Sequence, residues 1–284
     1  MSGESRAAGL VLTGVFSVQA GAALATTLFD EVGPAGTVLL RTLFAAIVLL
    51  AAWRPTLRGH GRSRLELAAL FGAALAGMNL CFYEALDRLP LGIAVTLEFT
   101  GPLTVAVLGS RRRLDLLWVA LAAAGIVLLS GGLGGKGVDA VGAILALGAG
   151  ALWGAYILIS ARVGREFEGG TGLALAMAFS AILLIPPGVV AGAEDLVAPG
   201  VIAAGLGVAL LSSVIPYSVE LEALRRLPPG TFGVLMSLEP AVAALVGLIA
   251  IGQDLSAVEV AAIGLVVAAS AGALRSAAAP PRDA

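Results

Sequence analysis

Ten apolar runs, each about 20 residues long, follow one another along this chain. A helix of that length spans the hydrocarbon core of a bilayer, and continuous rather than alternating apolar residues favour helices over a barrel. Hydrophobic residues make up 59% of the 284 residues and charged residues only 13%, which is too few charges for a water-soluble domain. The sequence therefore predicts an all-α integral membrane protein with ten transmembrane helices. The predicted spans are 7–29, 35–53, 66–87, 91–110, 114–132, 138–161, 171–191, 199–224, 230–251 and 256–275.

The first apolar run has two interpretations. Arg6, the apolar stretch that follows it and the small residues around Ala23 and Ala25 are also features of secretory signal peptides. The apolar core of a signal peptide is about 7–15 residues long, which is shorter than this run. We therefore expect the run to be retained as the first transmembrane helix.

The basic residues between the spans predict the orientation of the chain, because cytoplasmic loops carry an excess of Lys and Arg. With the N-terminus in the cytoplasm, only Arg88 and Lys136 lie in outer loops, and Arg41 lies inside the second span. The other fourteen basic residues lie on the cytoplasmic side, so both termini are predicted to be cytoplasmic and the triple arginine after the fourth span is interpreted as a topology anchor. These fourteen are Arg6, Arg54, Arg58, Arg62, Arg64, Arg111, Arg112, Arg113, Arg162, Arg165, Arg225, Arg226, Arg275 and Arg282.

Residues 83–109 and 221–247 are two copies of one segment. Without a gap, eleven of their 27 positions are identical, including an E-A-L-x-R-L-P-x-G stretch. The repeat predicts two five-span units, residues 1–137 and residues 138–284. Because five is odd, the second unit enters the membrane in the opposite orientation. Inverted repeats are typical of secondary transporters, which bind their substrates near the membrane midplane between the two repeats.

The residues that common enzyme sites need are scarce in this chain. His60, the only histidine, lies in an arginine-rich loop, and Cys81, the only cysteine, lies in an apolar run. We therefore expect no metal site, no disulfide framework, no catalytic triad and no nucleotide loop. The sequence predicts a protein that is not an enzyme, with no cofactor and no nucleic-acid partner. An intramembrane enzyme or a structural membrane protein is the alternative class, although a structural protein would not need carboxylates at two proline breaks.

Four segments resemble the EamA-type branch of the drug/metabolite transporter superfamily. They are PLGIAVTLEFTGPL (90–103), ALGAGALWGAYIL (146–158), IPYSVELEAL (215–224) and LPPGTFGVLMSLEPAVAAL (227–245). The resemblance extends over nearly the whole chain, and the LEFTGPL and LMSLEP pair is most similar to the threonine and homoserine exporters of bacterial inner membranes.

This resemblance implies a function that composition and spacing do not indicate. It implies export of a small zwitterionic amino acid across the inner membrane by alternating access, in exchange for protons. The alternative is an EamA-type exporter of another metabolite or of cationic drugs. Aromatic residues make up only 5% of the chain, which favours a small polar solute over a drug.

Glu98 lies seven residues into the fourth span, or about 10 Å deep. Ionisable groups at this depth are costly and are often functional. Pro102 cannot donate a hydrogen bond to the carbonyl of Glu98, and Gly101 loosens the same turn. The sequence therefore predicts a helix break and a free carbonyl beside the carboxylate, which makes Glu98 a candidate site for a cation or a proton. In the alternative interpretation, Glu98 pairs with Arg41 and only holds the spans together.

Glu239 and Arg41 are two further charged candidates within the spans. Glu239 precedes Pro240, a second predicted helix break, and the repeat places it about one turn from Glu98 across the pseudo-symmetry. One carboxylate would bind the substrate amine and the other would carry a proton. Arg41 is suited to a bidentate contact with the substrate carboxylate. It is equally suited to neutralise a carboxylate or to extend towards the outer interface.

Uncharged polar and aromatic residues are candidates for the cavity wall. Asn79 and Tyr83 are one turn apart on the third span. Ser213 and Tyr217 are similarly spaced on the eighth span, beside a predicted helix break at Pro216. Hydrogen bonds between helices and anchoring at the interface are the alternative roles. Further candidates are Gln19, Trp153 and Tyr156.

Overall fold

The computed structural model describes residues 3–55, 61–108, 115–129, 138–216, 219, 223 and 235–278, and this part of the chain is helical. The helices are α1 (Gly3–Thr26), α2 (Phe29–Trp53), α3 (Arg62–Leu86), α4 (Leu91–Glu98), α5 (Thr100–Leu108), α6 (Asp115–Leu129), α7 (Ala140–Glu166), α8 (Thr171–Gly192), α9 (Pro199–Ala209), α10 (Glu239–Val246) and α11 (Ala257–Ala278). A short 3₁₀ turn precedes α9, and π-helical turns follow α9 and α10, at Asp195–Val197, Leu210–Val214 and Gly247–Ile251 respectively.

Ten apolar segments of the described chain correspond to the ten predicted spans. α2, α3, α7, α8 and residues Ala8–Thr26 of α1 are long and apolar enough to cross a membrane. Five shorter apolar helices accompany them, at Leu91–Val105, Leu117–Leu129, Pro199–Val214, Glu239–Ile251 and Ala257–Ala273.

Large apolar side chains cover much of the outside of this bundle. Val190 is 87% exposed, Ile249 is 74% exposed and Ile144 is 69% exposed. Soluble monomers rarely expose extensive apolar surface. Together with the apolar helices, this surface is that of a multi-pass membrane protein, in which lipid covers the exposed side chains.

A kink divides α2 near its start. Gly33 has a non-helical backbone (φ 66°, ψ 170°), so one short turn over residues 29–32 precedes the helix proper. Proline is well suited to the first turn of a helix, and the Thr37 hydroxyl donates to the Gly33 carbonyl at 2.8 Å. The apolar helix that follows Gly33 therefore begins next to the predicted start of the second span at residue 35.

The fourth span is two helices rather than one. α4 ends at Glu98 and α5 begins at Thr100, so the break lies at Phe99. The sequence predicted the break at Gly101 and Pro102, which instead lie in the first turn of α5. The first turn of a helix tolerates the missing N–H of proline, so the irregular residue lies three positions before Pro102.

The ninth span has the same arrangement. α10 begins at Glu239 with Pro240 in its first turn, after turn residues Ser237 and Leu238. In this span too, the break comes before the proline rather than at it. The prolines therefore mark the start of a new helix, and the irregular backbone lies one turn earlier.

α7 crosses the break in the fourth span at very close range. A methyl group on Gly150 would lie 2.5 Å from the carbonyl oxygen of Glu98, and one on Gly101 would overlap the carbonyl oxygen of Gly150. Small residues let membrane helices approach this closely. The Glu98 carbonyl that Pro102 leaves without a helical donor therefore lies against the backbone of α7.

We expect Gly150→Ala to lower the free energy of unfolding by about 1–3 kcal/mol, because the added methyl group overpacks this crossing. Gly148 is the matched control on the same helix, since a methyl group there has no neighbour within 4 Å. Thermal unfolding in detergent measures the difference. Equal unfolding temperatures for the two variants would contradict the close crossing.

Contacts between the N-terminal and C-terminal halves of the chain dominate the packing. α2 packs on α8, α4 packs on α10 and α6 packs on α11. α3 packs on α7 and α8, while α1 and α2 pack on α9. A buried side chain where these helices meet consequently lies between the two halves of the molecule.

Candidate functional site

The π-helical turn after α9 leaves backbone carbonyls inside the bundle without donors from the helical residues that the structure describes. The N–H of Ile215 donates to Leu210 rather than to Leu211. The next residue, Pro216, has no N–H. In the π-helical register its N–H would bond the Leu211 carbonyl, and in the α-helical register it would bond the Ser212 carbonyl. An unsatisfied carbonyl in a membrane-embedded bundle is costly, so these carbonyls are expected to bond to other groups.

Arg41 of α2 binds one of these carbonyls. Its Nη2 donates to the Ser212 carbonyl at 3.1 Å, and its Nε donates to the Ser213 hydroxyl at 3.3 Å. Its Nη1 donates to the Tyr83 hydroxyl of α3 at 3.2 Å. Arg41 thus points into the bundle and joins three spans, so the predicted alternative in which it extends to the outer interface was wrong.

Tyr83 also holds the Arg41 guanidinium through its ring. The ring centre lies 5.5 Å from Cζ of Arg41, within the range of a cation–π interaction. Tyr83 is fully buried, and its ring packs at 6.0 Å from the ring of Phe29 and 5.9 Å from that of Phe82. These contacts fix the tyrosine, which in turn fixes the orientation of the arginine.

Ser17 of α1 binds the second carbonyl of the π-helical turn. Its hydroxyl donates to the Leu211 carbonyl at 2.7 Å. One turn further along α1, a methyl group on Gly21 would overlap the Ser212 hydroxyl and lie 2.9 Å from the Ser212 nitrogen. α1 therefore packs directly against the turn that contacts Arg41.

Glu98 is buried at the end of α4, with 9% of its surface exposed. A buried carboxylate is costly unless a positive charge or hydrogen bonds compensate it. Within the described chain, however, the salt bridges join Arg62 to Glu66 and Arg64 to Glu166, so Arg41 and Glu98 form no direct ion pair there. The predicted alternative, in which this pair holds the spans together by direct contact, is not what the structure has.

Trp153, Gln19 and Glu239 lie at other points of the buried interior. Trp153 of α7 packs edge-to-face on Phe99 at 5.4 Å, beside the break that follows Glu98. Gln19 is 1% exposed, and among the described residues its Oε1 has no hydrogen-bond partner. Glu239 is 5% exposed at the start of α10. Their roles in binding stay predictions.

Comparison with known proteins establishes the family. The chain is 44% identical over 265 residues to the threonine/homoserine exporter RhtA of Escherichia coli (strain K12), covering 93% of this chain and 89% of that protein. It is 31% identical over 217 residues to the uncharacterized transporter YwfM of Bacillus subtilis (strain 168), covering 74% and 73%. The EamA-like transporter family matches residues 140–275. The chain belongs to the EamA-like transporter family.

A solved crystal structure has the same fold as this EamA-like transporter. The two superpose with a TM-score of 0.63 over 95% of this chain and 96% of the other, at 21% sequence identity. At that identity the likeness concerns the fold alone. It supports the helical membrane architecture predicted from the apolar runs.

Some predicted site residues of this EamA-like transporter contact residues other than Arg41. The Asn79 side chain donates to the Leu75 carbonyl of its own helix at 2.8 Å. Tyr156 stacks on Phe71 at 5.2 Å, where both line a separate cleft between α3, α7 and α8. Tyr217 lies outside the described residues.

Ser17 and Ser212 contact the site but were not among the predicted residues. A signal for Ser212 was present, because Pro216 follows it by four residues, the same spacing that links Glu98 to Pro102. No local signal indicates Ser17, since its partner lies 194 positions away.

Two charged residues belong to the candidate site of this EamA-like transporter. Arg41 donates to Tyr83, Ser212 and Ser213, and Glu98 is buried at the end of α4. No three His, Cys, Asp or Glu side chains of the described residues lie close enough together to hold a metal ion. A guanidinium and a carboxylate offer ion pairing and hydrogen bonding.

Proposed function

We propose that this EamA-like transporter is a secondary active exporter of threonine, homoserine and similar small zwitterionic amino acids in the inner membrane. The observation that carries the proposal is the 44% identity, over 93% of the chain, to exporters named for these two amino acids in Escherichia coli and Salmonella typhimurium. Transport proceeds by alternating access and is coupled to protons. The lipid bilayer, the amino acid and the proton are the partners of the chain.

The separation of charge between Arg41 and Glu98 supports the binding of a zwitterion. Arg41 binds the substrate carboxylate, for which a guanidinium has the matching planar geometry. Glu98 binds the ammonium group or carries the coupled proton, with Glu239 as the second carboxylate. A zwitterionic substrate has one charged group for each of these two side chains.

Two inverted repeats, residues 1–137 and 138–284 with both termini cytoplasmic, are part of the proposal. In this proposal α2 corresponds to α8, α4 to α10 and α6 to α11. Each of these pairs is in contact, so the three contacts stay the same when the two halves are exchanged. The α3–α8 contact likewise maps onto the α9–α2 contact. The breaks at Phe99 and Ser237 occupy equivalent positions at the repeat offset. The family match over residues 140–275 falls within the second repeat.

The pseudo-symmetry supports one interface as the substrate site. α3, α7 and α8 meet at an apolar cluster that includes Phe71, Leu75 and Met177. The equivalent interface in the other half, between α9, α1 and α2, contains Ser17, Arg41 and Ser213 instead. A charged group is costly at membrane depth, so the presence of Arg41 in this interface favours a functional role there.

The test is counterflow in proteoliposomes that contain the purified full chain and an excess of unlabelled threonine. We expect radiolabelled threonine and homoserine to enter at least about tenfold faster than valine, which matches threonine in shape but lacks its hydroxyl group. Protein-free vesicles are the control. Uptake of ethidium without uptake of either amino acid would overturn the proposal and favour the alternative, an exporter of cationic drugs.

A further inference from the structure

The π-helical turn at Leu210–Val214 has two possible hydrogen-bond registers. In the register observed, Ile215 donates to Leu210 and the Ser17 hydroxyl donates to the Leu211 carbonyl. In a regular α-helix, Ile215 would donate to Leu211 itself. In the observed register the Leu211 carbonyl therefore has no helical donor among the described residues, and Ser17 supplies its hydrogen bond instead.

The register decides where the next residues of the turn lie. Ser212 and Ser213 follow Leu211 directly, and they supply the carbonyl and the hydroxyl that bind Arg41. A change of register moves these groups around the helix axis, because the two registers differ in the rotation per residue. The arginine would then lose partners from the turn and keep those on α3.

α1 favours the observed register in two ways. Ser17 satisfies the carbonyl that this register leaves open, and Gly21 leaves the space that Ser212 fills. The two residues are four positions apart and so lie on one face of α1. The Ser17 proton is donated to Leu211, and this bond connects Ser17 to the turn that contacts Arg41.

We infer that Ser17 and Gly21 are positioning residues for transport: they hold the turn in the π-helical register and thereby orient Arg41. The transport role rests on the proposed function, whereas the effect on the turn does not. α1 belongs to the N-terminal half and the turn to the C-terminal half, so this contact spans the interface between the halves. Ser17 thus ties the geometry of the Arg41 site to the relative position of the halves.

The test compares Ser17→Ala, Ser17→Thr and Gly21→Ala with the unchanged full chain in proteoliposomes. Loss of one hydrogen bond to the turn is expected to raise KM for threonine about tenfold while Vmax changes by less than about twofold. Ser17→Thr retains the hydroxyl and is expected to restore KM. Gly21→Ala keeps the hydrogen bond but displaces the turn, and is expected to raise KM as well. Ser270→Ala is the matched control, because Ser270 is a buried serine whose hydroxyl has no partner among the described residues.

Hydrogen–deuterium exchange over residues 205–216 is a second measurement that does not depend on transport. Ser17→Ala is expected to speed exchange in this segment, and Ser270→Ala is expected to leave it unchanged. Unchanged exchange in Ser17→Ala, or a lower Vmax at constant KM, would overturn the inference. If the unchanged chain transports neither amino acid, the proposed function fails, and the exchange measurement still decides whether Ser17 holds the turn.

Discussion

Replacing Arg41 with lysine is expected to slow threonine counterflow about 100-fold. Hydrogen bonds to a charged group contribute about 1.5–3 kcal/mol each, and about 1.4 kcal/mol corresponds to a factor of ten. Arg41 donates from three different nitrogens to Tyr83, Ser212 and Ser213. A lysine keeps the charge but donates from a single nitrogen, so it cannot span these partners and offer a planar fork to a carboxylate.

The matched control for this substitution is Arg54→Lys. Arg54 follows the end of the same helix, is exposed and, among the described residues, donates its side-chain Nε to the carbonyl of Ala51. Its replacement is expected to leave counterflow unchanged. Rates for Arg41→Lys within about twofold of the unchanged chain would show that the positive charge alone suffices and that the bonded geometry has no role in binding.

The order of the membrane spans was predictable because an apolar run is a local property of the sequence. The positions of the helix breaks were less predictable. Pro102 and Pro240 mark the two breaks in the sequence, but the backbone becomes irregular at Phe99 and Ser237, before each proline. A missing N–H affects the carbonyl four residues earlier, and the distortion is therefore displaced towards the N-terminus.

The composition of the candidate site was predictable, but its contacts were not. Arg41, Tyr83 and Ser213 were identified as polar residues at membrane depth, which is a property of each residue alone. Which of them meet depends on how the spans pack, since Arg41 and Ser213 lie 172 positions apart. The π-helical turn was also not predicted, because its register depends on Ser17 of another helix. Conversely, Asn79 and Tyr83 share a face of α3, yet the Asn79 side chain donates to its own helix.

The close crossing of α7 over α4 and α5 changes the interpretation of Glu98. The sequence suggested that its backbone carbonyl, freed by Pro102, would contribute to a cation site. The carbonyl lies against Gly150 instead, so the carboxylate is the group of Glu98 that is suited to bind a cation or a proton. A substitution that changes only this carboxylate consequently tests the site without disturbing the break.

Glu98→Gln is expected to reduce uptake driven by an imposed pH gradient by at least about tenfold, because a carboxamide has nearly the same shape but cannot carry a proton in exchange for the substrate. The measurement compares gradient-driven uptake with counterflow at equal pH in the same vesicles. If Glu98 carries only the proton, counterflow persists in Glu98→Gln while gradient-driven uptake is lost. If it also binds the substrate ammonium group, both are lost. Glu66→Gln is the control, since Glu66 pairs with Arg62 at the surface. Unchanged uptake in both assays would assign Glu98 a structural role and leave Glu239 as the remaining buried carboxylate of the proposed site.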